Sequence, residues 1–232
     1  MKKIRFLTIK KKILLCLLLC LTIGVGILGT FFNVRETSSP KLTRTIVIDA
    51  GHGGIDGGCV GKRYGAVESE LNLLYAKELE QQCKESGFNV VMTRSTAEGL
   101  YSPLATNKKK SEMQKREQII NDSKGDIVVS IHMNSITIPS VRGAQVFFKK
   151  GNEEGKILAD EITTCIVQDF SKVRSGSCAG DYYVLNCNEK AAVLIECGYL
   201  SNAEEEYNLM QENYRKKFCK SVLKGIINFL KI

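Results

Sequence analysis

The hydrophobic pattern divides the chain at once. Residues 13–32 run for twenty positions without a charge, and residues 1–12 before them carry Lys2, Lys3, Arg5, Lys10, Lys11 and Lys12 with no acid. About 20 apolar residues suffice to cross a bilayer as a helix, and the basic flank places its own end on the cytoplasmic side. The run is longer than the roughly 7 to 15 residues of a cleavable signal, so 13–32 reads as a transmembrane anchor or an uncleaved signal. Residues 33–44, NVRETSSPKLTR, show no apolar period and contain Pro40, which reads as a linker. A single folded domain is expected over 45–232.

Within that domain the period alternates. Ile46, Val47 and Ile48 form a β-branched run that enters a glycine-rich turn, GHGGIDGG. Leu71, Leu74, Tyr75, Ala76 and Leu79 then recur at helical spacing within 68–86, and Gly87 stops the helix. Further strands are expected at 89–93, 126–132, 144–149, 182–185 and 192–195, and further helices at 111–121, 153–170 and 212–230. Apolar runs such as IVI, IVV and AVLI suit strands buried on both sides. The pattern predicts an α/β domain, a mainly parallel twisted sheet with helices on both faces.

Charge then removes one class of function. The formal net charge is +8, but six of the 33 basic residues lie in 1–12, leaving 27 against 25 acids, or +2, for the rest. A nearly neutral domain does not track phosphates, so no nucleic-acid partner is expected. The run Lys108, Lys109, Lys110 reads as a solvated loop or helix face. Nine cysteines are present, two of them, Cys16 and Cys20, in the apolar run. The other seven have no C-x-x-C spacing and read as free thiols, with Cys178 and Cys187 near enough in sequence for a loop disulfide.

The chain has two histidines, His52 and His132, and both fall at the expected C-terminal ends of buried strands. In open α/β sheets that edge is where ligands gather. Two imidazoles there suit a metal, and a catalytic zinc commonly takes two histidines, one carboxylate and an open position. Glu68 and Glu70, opening the helix after the glycine turn, are both candidates for the carboxylate, and an acid in a first helical turn is also explained by the helix dipole. Asp49 is placed to orient His52 from behind. Glu196 closes a buried apolar run, where a bare carboxylate is costly unless paired or catalytic. Asn134 and Ser135 follow His132 and either contact substrate or make the turn.

Four ordered segments, VIDAGHGGIDGG, GAVESELNL, SIHMNS and VLIECGYLSN, resemble those of the zinc-dependent N-acetylmuramoyl-L-alanine amidases, over about residues 45–232. The resemblance implies zinc held by His52, Glu68 and His132, Glu196 as the catalytic glutamate, and bacterial peptidoglycan as substrate. Its departures are Ala191 and Ala192 where members often have proline, and Met133 where alanine is usual. The short form with a membrane segment is similar to sporulation members that act on spore cortex in making muramic δ-lactam. It implies a cell-membrane protein with an extracytoplasmic domain and leaves any activating partner protein unknown. The self-blocking helix of some division members is not expected, since no long insertion separates Gly143 from Glu196. Two other classes compete: a membrane-tethered wall-binding module without turnover, and a nucleotide site, against which GHGGIDGG lacks both the G-x-G-x-x-G spacing and the P-loop lysine. A non-haem iron would also accept two histidines and a carboxylate.

Overall fold

The computed structural model describes residues 44–170 and 176–231. The expected cytoplasmic tail, the 13–32 span and nearly all of the linker lie outside them. Among the described residues no helix is long and apolar enough to cross a membrane.

Six strands form one sheet: β1 (Thr45–Ala50), β2 (Asn89–Met92), β3 (Ile127–Asn134), β4 (Gln145–Lys149), β5 (Cys178–Gly180) and β6 (Ala191–Tyr199), in the order β2-β1-β3-β6-β4-β5. The helices are α1 (Glu68–Glu85), α2 (Lys108–Asp122), α3 (Glu153–Asp169), α4 (Tyr183–Asn186), α5 (Ala203–Met210) and α6 (Glu212–Leu230). Strand alternation feeds two cores. Ile46, Ile48, Ile127, Val129, Ile131, Val193 and Ile195 face α1, α3 and α6, while Val47, Val128, Ala192 and Leu194 face Ile120 of α2 and Val184 and Leu185 of α4. The helices therefore cover both faces, as the doubly apolar strands require.

The sheet is mixed. β1 pairs parallel with β2 and β3, and β3 with β6, but β4 runs antiparallel to β6 and carries β5 parallel beside it. A parallel return needs a crossover, usually helical, and no helix separates β3 from β4, so the chain comes back in the opposite sense. The expected strand at 182–185 is helix α4 instead, and the strand lies upstream at Cys178–Gly180. Val184 and Leu185 explain the difference: both are buried in the same cluster, which a helical turn permits and a strand, sending neighbours to opposite faces, does not. Helix α5 has no counterpart in the sequence reading. Its signal is Asn202, whose side chain accepts from the backbone N–H groups of Glu204 and Glu205, with three glutamates in the first turn.

Helix α2 begins at Lys108, three residues ahead of expectation, because Asn107 caps it by accepting from Lys110 N–H at 2.9 Å. Its inward stripe is not apolar. Glu112, Arg116 and Ile120 are its buried residues, and Arg116 pairs with both Glu112 and Asp49. Asp49 also accepts from Thr93 Oγ1 at 2.7 Å and Ser130 Oγ at 2.6 Å, which ties β1 to the strands beside it.

Burial alone would raise the Asp49 pKa, but Arg116, with Ser130 and Thr93, outweighs it and brings the carboxyl down to about 2 from 3.8. Such a group binds fewer protons folded than unfolded. Its stabilisation, about 2 kcal/mol, is present above about pH 4 and is lost as pH falls toward about 2. Denaturant titrations between about pH 5 and about pH 3 should therefore show a shallower loss of stability with acid in Asp49→Asn than in the parent. Equal slopes would assign the acid sensitivity to other carboxylates.

Candidate metal centre

Three strands, β1, β3 and β6, run parallel, so their C-terminal ends open on one edge of the sheet. β1 stops at Ala50, opposite Ile131 of β3, which sets the next residues of the two chains side by side. Gly51 is the consequence of that closeness: a Cβ there would stand 2.3 Å from the His132 imidazole, so only glycine lets the ring in. Gly51 is not among the glycines of positive φ, and the demand is contact rather than conformation. His52 follows with φ 58°, the left-handed region that costs a non-glycine residue about 1–2 kcal/mol. Helix α1 starts at Glu68 and sends its side chain back to the same place, while Glu70 is exposed. Of the two candidate carboxylates, Glu68 is the one that lies beside both histidines.

His52 Nε2 lies 3.1 Å and His132 Nδ1 3.0 Å from one oxygen, Glu68 Oε1. The ligating atoms of the three residues all fall within 4.8 Å of one another, a spacing that suits one metal ion, and among the described residues this is the group of His, Cys, Asp and Glu with that property. Both rings are partly buried, and their centroids are 5.0 Å apart at 74°. The second oxygen of Glu68 accepts from Cys59 N–H at 2.8 Å, which fixes the carboxylate plane. Burial would raise the Glu68 pKa, but hydrogen bonds and charge from His132 and His52 outweigh it and hold the carboxyl well below the usual range.

The residue behind His52 is not Asp49, which is committed to Arg116, Ser130 and Thr93. It is Asp56, whose Oδ1 sits 2.9 Å from His52 Nδ1 and whose Oδ2 takes Lys109 Nζ at 3.0 Å. An acceptor on Nδ1 leaves Nε2 as the lone-pair nitrogen, the tautomer a metal needs. Burial lowers the His52 pKa, but Glu68 and Asp56 outweigh it and the net direction is upward. The glycine turn is no phosphate cradle. Gly51 N–H donates to Ile131 O, Gly53 N–H to Asp56 O, Gly54 N–H to Ala97 O and Gly58 N–H to Asp56 Oδ1, so the chain itself uses those amides.

Sequence reasoning missed the two arginines that hold this turn. Arg94 donates to the carbonyls of Ala50, Gly51, Ser69 and Thr96, and Arg116 to those of Ala50 and His52. Asn72, one turn along α1 from Glu68, donates to Gly51 O at 3.1 Å. The readable signal was the placement of Arg94 directly after a strand, at the edge where His52 was expected. Asn134 ends β3, and its carbonyl accepts from Leu200 N–H at 2.7 Å, a turn-making role; Ser135 follows it, half-buried. Of the family departures, Ala191 and Ala192 lie inside β6, and Met133 is buried with its N–H 3.3 Å from Glu68 Oε1. The seven cysteines of the described residues are free thiols, Cys178 and Cys187 included.

Glu196 stands on β6 in register with His132 of β3. It is 8% exposed, and its Oε2 is buried with no hydrogen-bond partner. Burial pushes its pKa up to about 7, the negative charge of Glu68 adds to that, and the two histidines pull against it. A buried carboxylate oxygen without a donor is an arrangement folding alone does not favour.

The Gly51 contact gives a direct check on this geometry. Gly51→Ala forces the His132 ring aside by overpacking, at a cost of about 1–3 kcal/mol, and should weaken any metal binding at the three-residue group by about tenfold or more. Chelator competition beside a thermal melt in chelator measures both, and unchanged metal affinity would mean that the ring position does not govern the site.

Comparison with known proteins shows the family. Residues 46–228 match the family model for N-acetylmuramoyl-L-alanine amidase. The germination-specific N-acetylmuramoyl-L-alanine amidase of Bacillus subtilis is 31% identical over 203 residues, 84% of this chain and 83% of that protein. The solved structure of the CwlD amidase from Clostridioides difficile, in complex with the GerS lipoprotein, superposes with a TM-score of 0.78 at 32% identity, covering 82% of this chain and 99% of that one. The catalytic domain of CwlV, an N-acetylmuramoyl-L-alanine amidase from Bacillus (Paenibacillus) polymyxa, gives 0.73 at 29% identity over 82% of this chain and 99% of that one. The chain belongs to the N-acetylmuramoyl-L-alanine amidase family, the enzymes that hydrolyse peptidoglycan at its glycan-peptide junction.

Proposed function

We propose that His52, Glu68 and His132 hold a zinc ion and that Glu196 is the proton-transfer group of the amide hydrolysis. The observation that carries the reading is the convergence of two histidine nitrogens on Glu68 Oε1, with the unpartnered oxygen of Glu196 on the strand beside His132. The donor set fits zinc, since two imidazoles and a carboxylate leave a position for water. Zinc at such a site lowers the pKa of water to about 7 and polarises a carbonyl.

The chain's own residues supply the rest. Asp56 keeps the proton of His52 on Nδ1, so that Nε2 stays available. Glu196, raised toward neutrality by its burial, accepts a proton from the attacking water as the new C–O bond forms at the lactyl carbonyl. It then delivers that proton to the alanine nitrogen as the C–N bond breaks, because an amide nitrogen departs readily only when protonated. A lactyl carboxylate remains on the glycan and a peptide with a free amino terminus leaves.

Three further parts of the reading concern setting. Similarity to a germination-specific amidase and to CwlD supports a role in spore cortex, with muramic δ-lactam as the product to which the cut contributes. The charge asymmetry of residues 1–32 supports a single-pass anchor with the domain outside the cytoplasmic membrane. CwlD is seen with a lipoprotein, and a membrane-attached partner fits an enzyme anchored in the same way.

Glu196→Gln is nearly isosteric and should keep the fold and stoichiometric zinc while losing about 10² to 10⁴ in turnover. His132→Ala should lose zinc and activity together while still melting cooperatively in chelator. Zinc content and release of new alanine amino termini from defined peptidoglycan, measured on both variants, separate the roles. Near-parental hydrolysis by Glu196→Gln removes it from the chemistry, and full zinc in His132→Ala removes that residue from the site. The anchor is tested by adding protease to intact protoplasts: the domain should be digested while cytoplasmic controls survive.

A further inference from the structure

A cavity of about 460 Å³ opens beside His52 and His132, and much of its wall takes no part in the chemistry above. Its size is that of a pocket that buries a small ligand. Ile55, Met113, Tyr101 and Tyr182 give it apolar and aromatic sides. Lys108 and Lys109, the first residues of α2, stand among its lining residues.

The two lysines differ. Lys109 is spent on Asp56, and through Asp56 on His52. Lys108 has no carboxylate partner among the described residues; its Nζ lies 5.3 Å from the centre of the Tyr101 ring. That ring packs on the turn that carries His52, since a Cβ at Gly54 would come within 3.0 Å of it. The deeper charges of the cavity are already matched, Arg116 with Asp49 and Glu112. The uncompensated charge of the wall is therefore the Lys108 ammonium, and the N-terminal end of α2 adds to its positive potential.

We propose that Lys108 and Tyr101 form a subsite for a carboxylate of the peptide half of the substrate, which makes Lys108 a specificity residue. The inference rests on the amidase reading. In a muramoyl peptide the acyl half is a neutral sugar and its lactyl arm, whereas the peptide half carries free carboxylates. A positive group reached across an apolar pocket from the metal centre matches the peptide half. A cation held over an aromatic face is oriented before ligand arrives, which limits the side-chain entropy lost on binding.

The test uses the zinc-loaded full-length chain and two soluble N-acetylmuramoyl peptides of one length, with peptide carboxylates free in one and amidated in the other. The parent should favour the free acid by about tenfold in kcat/KM, the size of one charge-assisted hydrogen bond at a partly solvated site. Lys108→Gln should erase that preference by losing on the free acid, and Lys110→Gln, on the same helical turn but outside the cavity lining, should retain it. A parent that treats the two substrates alike, or a Lys108→Gln protein that keeps the parental preference, overturns the subsite and points to the glycan as the cavity's occupant. Calorimetric binding of the released acidic peptide reads the subsite without turnover. If the parent hydrolyses neither substrate, the amidase reading fails on its own; tighter peptide binding by the parent than by Lys108→Gln then still upholds the subsite, and equal binding overturns it.

Discussion

Three successive carbonyls, those of Ala50, Gly51 and His52, leave the sheet where β1 ends, and the site depends on what answers them. Arg94 and Arg116 supply the donors, with Asn72 as a third hand on Gly51. A buried carbonyl left without a donor costs about 1–3 kcal/mol, and the left-handed backbone at His52 adds its own penalty. The two guanidiniums meet both costs at once, but only because Asp49 and Glu112 neutralise charge beside them in the interior. Buried charge is a poor source of net stability compared with apolar packing. Here it performs what packing cannot, which is to aim a backbone turn at a fixed point, and α2 gives up its apolar stripe to do so.

Around that point two glutamates of the same chemistry are driven apart. Glu68 faces both histidines and two backbone N–H groups, and its pKa falls far below the ordinary range. Glu196 has burial without a donor on Oε2, and its pKa climbs to about 7. The negative charge that the first keeps raises the second further. Divergent environments of this kind divide labour between like residues, the permanently ionised group holding charge and the near-neutral one exchanging protons. The strand register His132 with Glu196 sets the separation, so the difference is built into the sheet and does not depend on a mobile loop.

The residues proposed to carry this chemistry were singled out in the sequence because their positions break local rules: two histidines after apolar runs and a carboxylate closing a buried strand. The strands β1, β3 and β6 were legible for the same reason, being continuous apolar runs. What failed were the elements whose sequence does not show their burial. β5 is three residues long and has no apolar pattern, so the nearby Tyr182, Val184 and Leu185 took its place in the reading. The start of α2 and its core-facing stripe were hidden because Glu112 and Arg116 read as solvated surface. Asp49 looked like the partner of His52 from sequence proximity, yet its carboxylate is taken up by Arg116, Ser130 and Thr93. Asp56, four residues beyond His52 in a turn of five glycines, became a partner through tertiary folding that no period encodes.

Cys59 shows how closely the donor set is specified. Its N–H holds Glu68 Oε2 and its thiol lies 3.5 Å from Met133 O, so a soft sulfur ligand stands directly behind the proposed hard one. Zinc accepts sulfur readily, so position sets Cys59 apart: the ligand atoms that fall within 4.8 Å of one another are those of His52, Glu68 and His132. Burial pushes the Cys59 thiol far up, and the charges of Glu68 and Glu196 push it further. Cys59 thus acts through its backbone, as the clamp that keeps Glu68 aimed at the histidines.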